Sequence, residues 1–387
     1  MKITLVHSIY RPYRRGGAEV AVETMAAGLR SQGHQVSVIT VGYKQEIEEI
    51  DGIKIYRIKP FNLFNFLDIN KQPAVKRFFW HLIDMFSDVQ AWRIYKVIKR
   101  EHPDLVIGHN LKGLGYYVPR IAKTLKIKYV QVIHDMQYLH PSGLLDNYKH
   151  LETGAKIYGW FCRFLLASPY LVVFPSKFMK RIYDDNGFFP RSREAVLGNP
   201  IDLLKVARPD SESGVSMNCL YLGQIEIYKG VMDLIEIFKE LRGAATLSVV
   251  GEGSALEAVR IMAKDDGRII FYGRLEPEEI ERRIWPRIDL VINPSQVSES
   301  FGMVVLEAFA HSVPAVVSAI GALPELVVAG QTGWLIPPRD KEALRDKLQE
   351  IVDGHLINEE MKERCLARAM DFEVGHYLEG LMKLISN

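Results

Sequence analysis

Short runs of β-branched and aliphatic residues alternate along the chain with longer stretches whose apolar positions recur every three or four residues. That alternation predicts βα units built around parallel sheets. In the first half, strands are predicted at residues 3–6, 36–40, 53–58, 105–107, 129–133 and 171–174. Helices are predicted over 18–32, stopped by Ser31-Gln32-Gly33, and over 114–126. Residues 60–101 differ: they are aromatic and basic, and read as two helices around Pro73 and Ser87. A second series starts after Asn199-Pro200-Ile201-Asp202 and a stretch, 209–216, poor in large apolar side chains. Its strands are predicted at 218–222, 246–250, 269–272, 290–293, 315–318 and 333–335. Its helices are predicted at 231–242, 255–264, 278–285, 303–310, 323–328, 341–352 and 358–370. The last stretch, 374–385, is apolar on one face and no strand follows it.

The expected organisation is therefore α/β: two doubly wound domains, 1–205 and 206–373, and a helix, 374–387, packing back toward the first. Ligands of such sheets bind beyond the carboxyl ends of the strands, so two sheets place the expected site in a central cleft. A length of 387 residues suits two domains at about 150 residues each. With 48 % hydrophobic and 25 % charged residues, disordered, collagenous and coiled-coil classes are excluded. No apolar run approaches the roughly 18 residues of a membrane span. The first residues, Met1-Lys2-Ile3-Thr4-Leu5, read directly into a strand, so no leader peptide is expected. Cys162, Cys219 and Cys365 are widely spaced and odd in number, which fits a reducing cytoplasm rather than a disulfide or zinc framework. The net charge of +2 conceals an asymmetry. Residues 1–200 carry 29 Lys and Arg against 17 Asp and Glu; residues 201–387 carry 20 against 30. The first half should attract anions, unless both sets of charges merely solvate surfaces.

Candidate chemistry falls just after predicted strands. The first loop, Arg11-Pro12-Tyr13-Arg14-Arg15-Gly16-Gly17-Ala18-Glu19, leads into a helix. Paired glycines there let backbone N–H groups approach a phosphate, with Arg14 and Arg15 as cationic partners, although Gly-Gly is also a common turn. Gly16-Gly17 lacks the G-x-G-x-x-G spacing and Gly251-Glu252-Gly253 fails at its third position, so a dinucleotide fingerprint is absent; a P-loop is absent too. The strongest segment is Glu299-Ser300-Phe301-Gly302-Met303-Val304-Val305-Leu306-Glu307, which opens a helix after the strand 290–293. One carboxylate sits at the loop, a second on the helix, and N–H groups at the helix start can take a phosphate. A plain dipole-complementing glutamate is the alternative.

Glu299-x7-Glu307, followed by Gly321-Ala322-Leu323-Pro324-Glu325-Leu326 and by Gly330-Gln331-Thr332-Gly333-Trp334, resembles the donor domain of glycosyltransferase family 4. The resemblance runs upstream through Tyr221-Leu222-Gly223-Gln224, Lys229-Gly230, Gly251-Glu252-Gly253 and Gly273-Arg274. In the first half Gly16-Gly17-Ala18-Glu19, His109-Asn110, His134-Asp135 and Asn199-Pro200-Ile201-Asp202 are similar to family segments; residues 60–101 and 136–160 are not. The family implies a GT-B fold and retaining transfer of a hexose-type sugar from a nucleotide diphosphate sugar, UDP- or GDP-linked, to a glycan or lipid-linked acceptor. Glu307 would hold the donor ribose. Glu299 would orient the transferred sugar and face charge developing at C1. Phe301, Gly302, Met303 and Val304 would line the sugar and diphosphate, and Lys229 would neutralise the leaving group. Gly251, Glu252 and Arg274 would line the base pocket, and Gly16 and Gly17 would close over the diphosphate. His134 would lie near the reacting sugar and acceptor. Arg14, Arg15, His109, Asn110 and Asp135 would stand on the acceptor side, with Asp135 a neighbour able to orient His134.

Leaving-group stabilisation needs positioned cations and dipoles, so no metal and no cofactor are expected, and no nucleic-acid partner. One departure concerns Gln224, at a position where the family usually has an arginine, five residues before Lys229. It supplies no charge, and Arg14, Arg15 or Arg274 would have to compensate. Gln224 keeps two alternatives open: another GT-B sugar-nucleotide reaction such as epimerisation or hydrolysis, or a catalytically silent binding protein. Residues 76–100 combine Lys76, Arg77, Lys96, Lys99 and Arg100 with Phe78, Phe79 and Trp80, the composition of an interfacial helix. That composition implies an anionic membrane as a partner and a cytoplasmic protein peripheral at the inner membrane face. The competing reading packs those aromatics inward.

Overall fold

The computed structural model describes residues 1–144, 152–206, 216–354 and 356–386. The chain forms two compact units, Met1–Pro200 with Val374–Asn387, and Ile201–Glu373. The division falls at 200/201 rather than 205/206 because the Ile201 N–H donates to the Phe372 carbonyl and Ile201 bridges Glu373. The stretch expected as the boundary lies, up to residue 215, outside the described residues, as do residues 145–151 within the segment 136–160 that lacks a family match.

In the first unit the strands are β1 (Lys2–Val6), β2 (Gln35–Val41), β3 (Glu46–Ile50), β4 (Ile53–Ile58), β5 (Leu105–Gly108), β6 (Lys128–Val132), β7 (Leu171–Phe174) and β8 (Arg193–Val196). The helices are α1 (Gly17–Ser31), α2 (Ala74–Met85), α3 (Asp88–Glu101), α4 (Val118–Thr124), α5 (Thr153–Leu166) and α6 (Lys177–Asp185). The sheet order is β3-β4-β2-β1-β5-β6-β7-β8, parallel except for β3. Central strands read as continuous apolar runs because helices cover both faces. The edge strand β3, Glu-Ile-Glu-Glu-Ile, alternates charge with isoleucine, a composition that discourages further pairing.

The second unit has β9 (Met217–Leu222), β10 (Ala245–Val250), β11 (Ile269–Gly273), β12 (Leu290–Asn293), β13 (Ala315–Ser318) and β14 (Gly333–Ile336). Its helices are α7 (Val231–Glu240), α8 (Leu256–Ala263), α9 (Pro277–Arg283), α10 (Met303–Ala310), α11 (Leu323–Leu326), α12 (Lys341–Gly354) and α13 (Glu359–Met370). All six strands are parallel, in the order β11-β10-β9-β12-β13-β14. This is the doubly wound order, with its switch point between β9 and β12. The last helix, α14 (Val374–Ser386), returns to the first unit. Its Tyr377, Leu378, Leu381 and Ile385 join a core with Val22, Met25 and Leu29 of α1. Gly28 makes that approach possible: a Cβ there would fall 2.7 Å from Val374 and 2.8 Å from Leu378.

Candidate functional site

In the second unit, strand polarity collects the singled-out residues at the carboxyl end of the sheet. The loop after β9 carries Gln224 and a single 3₁₀ turn ending at Lys229; the loop after β12 carries Glu299. Because β9 and β12 are neighbours, the two loops meet at the switch point, and the Lys229 ammonium donates to Glu299 Oε1 at 2.6 Å. Both side chains are about four-fifths covered. An ammonium has three N–H groups, and Glu299 engages one of them.

Helix α10 opens on Gly302, whose φ of +104° and close approach to Leu323 suit only glycine. Its first intrahelical bond runs from the Val305 N–H to the Gly302 carbonyl, so the Met303 and Val304 N–H groups precede the ladder. Phe301 is buried against Phe372 at 5.4 Å and anchors the turn. Glu307 is half-buried on α10, and its carboxyl is pushed up to about 7 by desolvation, with Glu281 adding repulsion. A pair that sequence reasoning missed stands behind it. His311 Nδ1 bonds the Glu307 backbone carbonyl at 2.8 Å, and its Nε2 bonds Glu281 at 2.8 Å. A carbonyl only accepts, so Nδ1 carries a proton. The ring stacks on Trp285, 4.4 Å between centroids.

The base-pocket candidates sit at the ends of β10 and β11. Gly251, with φ +142°, packs so tightly that a Cβ would stand 1.8 Å from the Gly223 carbonyl oxygen. The Gly251 N–H bonds the Gly273 carbonyl at 2.8 Å. Glu252 accepts from Arg274 at 3.0 Å, both largely exposed. Gln224 is exposed, and its side-chain oxygen lies 3.4 Å from the Tyr228 hydroxyl.

The first unit gathers a second constellation at its own switch point, between β1 and β5. His7, His109 and His134 follow β1, β5 and β6, three adjacent strands, and all are buried. His109 Nδ1 and His134 Nε2 share a 2.9 Å hydrogen bond, one ring donating to the other. Burial, followed by its histidine neighbours, holds His109 well below the ordinary imidazole range. His134 is brought down to about 3 by burial and by His7. Both rings are therefore neutral hydrogen-bonding groups at physiological pH. The Asn110 N–H donates to His7 Nδ1 at 3.3 Å, which puts the His7 proton on Nε2, 3.8 Å from Glu19. His7 was not singled out from the sequence, although its place one residue after a strand was the available signal. Among the described residues no set of His, Cys, Asp and Glu side chains converges as a metal site.

Asp135 does not orient His134. Its carboxylate accepts from the Asn110 side chain at 3.0 Å and from the Gln137 N–H at 2.8 Å. Burial raises its pKa, with Lys112 the main counterweight. Neighbours in extended chain point apart, and the histidine's partner comes from the next strand instead.

The Gly16 loop also differs from expectation. The Glu19 carboxylate turns back and accepts from the Gly16 N–H at 2.7 Å, so part of the presumed phosphate cradle is already capped. Arg14 donates twice to Glu23, at 2.9 and 2.5 Å, and Arg15 holds the Phe66 and Leu67 carbonyls while lying over the Phe66 ring. Both arginines brace their own unit, and this geometry lends no support to the idea that they replace charge missing at Gln224.

Comparison with known proteins bears on the chain as a whole. Residues 15–204 match the family described as Glycosyltransferase Family 4, and residues 216–353 match Glycosyl transferases group 1. An uncharacterised glycosyltransferase of Methanocaldococcus jannaschii is 26 % identical over 363 residues, covering 89 % of this chain and 87 % of that one. Among solved structures, sucrose-phosphate synthase from Thermosynechococcus elongatus superposes with a TM-score of 0.79 at 17 % identity, covering 100 % and 98 % of the two chains. HepE from Anabaena, solved in complex with UDP and glucose, superposes at 0.73 and 17 % identity, covering 100 % and 99 %. The two family matches span most of the sequence, and these neighbours share its pair of Rossmann-like units: the chain is a glycosyltransferase of family 4, with the GT-B fold.

Proposed function

We propose that the protein is a retaining, metal-independent hexosyltransferase that uses a UDP- or GDP-linked sugar and a glycan or lipid-linked acceptor. The observation that carries this reading is the Lys229–Glu299 pair at the switch point, four residues before α10 begins at Met303. HepE, a neighbour in fold, was solved with UDP and glucose, which supports a nucleotide-sugar donor here. In the reaction the bond from C1 to the diphosphate breaks and its electron pair leaves on the phosphate oxygen. The acceptor oxygen joins C1 on the same face, and its proton goes to the departing phosphate. Lys229 and the Met303 and Val304 N–H groups supply positive potential for that leaving charge. Glu299 orients the sugar and stabilises positive charge at C1; Glu307 takes the ribose hydroxyls; Gly251, Glu252 and Arg274 border the base. His134, neutral, exchanges hydrogen bonds with sugar and acceptor hydroxyls.

Titration calorimetry with UDP and GDP, and then with their hexose conjugates, tests the donor. Lys229→Ala is expected to weaken diphosphate binding by about tenfold or more, since hydrogen bonds to charged groups are worth ~1.5–3 kcal/mol. Unchanged affinity removes Lys229 from the site. Turnover is expected to survive EDTA, and the product anomer read by NMR reports retention. Gln224, in place of a cation, favours one second reading, a silent nucleotide-binding member. Nucleotide binding without sugar transfer to any acceptor, and without hydrolysis, would establish it.

A further inference from the structure

Helix α2 is amphipathic in the wrong sense for a helix covering a core. It buries Trp80 and Met85, while Val75, Phe78, Phe79, Leu82 and Phe86 run along its solvent side at helical spacing. The expectation that residues 76–100 pack their aromatics one way thus divides: Trp80 goes in, its indole N–H bonded to the Phe64 carbonyl at 2.8 Å, and Phe78 and Phe79 go out. The apolar surface continues on α5. The Phe86 ring touches Phe161 at 5.3 Å, Phe161 touches Trp160 at 4.9 Å, and Trp160 stacks on Phe164 at 6.1 Å. Phe78, Phe79, Trp92, Trp160 and Phe164 are each more than half exposed. So many large side chains in water on one unit mark a surface that something covers.

Charge identifies the occupant. Lys76, Arg77, Lys96, Lys99, Arg100 and Lys156 are exposed on α2, α3 and α5. The carboxylates of these helices are few. Asp84 is buried and accepts from the Gly113 N–H, and Glu101 is engaged by Lys54 at 3.0 Å, which leaves Asp88 and, just ahead of α5, Glu152 as the exposed carboxylates against six exposed cations. Lys96 lies 3.4 Å above the Trp92 ring and Arg120 lies 4.4 Å from the Phe164 ring, so the cations rise from among the aromatics. A symmetric contact with a second copy would set this patch against itself, like charge facing like. Anionic headgroups over an acyl boundary match both halves of the pattern: cations for the phosphates, Trp and Phe for the interface. Among the described residues no helix is long and apolar enough to cross a membrane.

We propose that the outer faces of α2, α3 and α5 form a docking surface for an anionic lipid bilayer, on which the protein lies without spanning it. The inference stands on this patch and not on the donor reading, so nucleotide binding and membrane docking fail separately. The experiment is sedimentation of the full chain with vesicles of phosphatidylcholine alone, or of equal parts phosphatidylcholine and phosphatidylglycerol, at low and high salt. Binding is expected at least about tenfold stronger to the anionic vesicles and weakened by salt. Phe78→Ser with Phe79→Ser, and separately Trp160→Ser with Phe164→Ser, are expected to reduce it severalfold. Both pairs should keep the wild-type circular dichroism, because the side chains removed are solvent-facing. No binding to anionic vesicles, equal binding to both compositions, or binding indifferent to both double variants overturns the proposal. So does a dimer in sedimentation equilibrium that Phe78→Ser with Phe79→Ser converts to monomer.

Discussion

Glu307 poses a question of protons. Its carboxyl, pushed up to about 7 by desolvation and by Glu281, is shared between acid and carboxylate near neutrality. A ribose diol offers two O–H donors and prefers the carboxylate, so binding below that pH must first expel a proton. Nucleotide affinity is therefore expected to rise ~tenfold per pH unit up to about 7 and level off above it. Glu307→Gln should bind more weakly and flatten the profile, which calorimetry from pH 5.5 to pH 8, roughly a unit either side of the turning point, resolves. A flat wild-type profile would remove Glu307 from the ribose. The two glutamates were visible in the sequence as the ends of one segment opening a helix after a strand, and Lys229 through the family resemblance of the segment that carries it. His311 and Glu281 were not, because what joins them is a contact of Glu281 and Trp285 with His311 at the end of α10 rather than spacing along the chain.

Elements explain most of what was legible and what was not. The parallel strands other than β8 were found readily, since residues buried on both faces leave uninterrupted apolar runs, whereas β8, Arg-Glu-Ala-Val at the sheet edge, is too short and too polar to show one. Edge strand β3 went unread because its function as an edge is to carry charge, and α5 because an exposed apolar face hides the expected period. The start of α1 was located to within one residue, but the cap on its Gly16 N–H was not seen: a glycine pair open to an anion and one partly capped by Glu19 look alike until the carboxylate is placed. Burial pushes the Glu19 carboxyl up, but the facing His7 ring and the hydrogen bond from the Gly16 N–H outweigh it and hold the group below its ordinary value. Its stabilising contribution is thus present above the unfolded pKa and is lost as pH falls through the lower folded value. Glu19→Ala is expected to cost about 1–2 kcal/mol at neutral pH and less in acid, as read by urea unfolding. An equal loss at both pH values would mean the carboxylate is not the cap.

On the scale of the whole molecule, the first unit is assembled from both ends of a chain that detours through the second. The expected return of the final helix rested on a single apolar face, and its docking surface on α1 was beyond reach without coordinates. Tyr377, Leu378, Leu381 and Ile385 are all buried in that core. At ~1.5–3 kcal/mol for each buried apolar side chain, their removal forfeits at least about 6 kcal/mol, most of an ordinary domain's stability. Deleting residues 374–387 is expected to leave the first unit open to protease while the contiguous Ile201–Glu373 unit resists digestion; equal resistance of both would contradict it. The same detour sets an order of events during synthesis. Ribosomes add about 5–20 residues per second, so Ile201–Glu373 has been translated in full before α14 exists, and can fold first. The earlier-made unit must meanwhile wait with the core that α1 shares with α14 incompletely covered. A nascent chain of this protein therefore presents a sticky first half for roughly ten to forty seconds at those rates, a client for chaperones that a simple reading from front to back would not foresee.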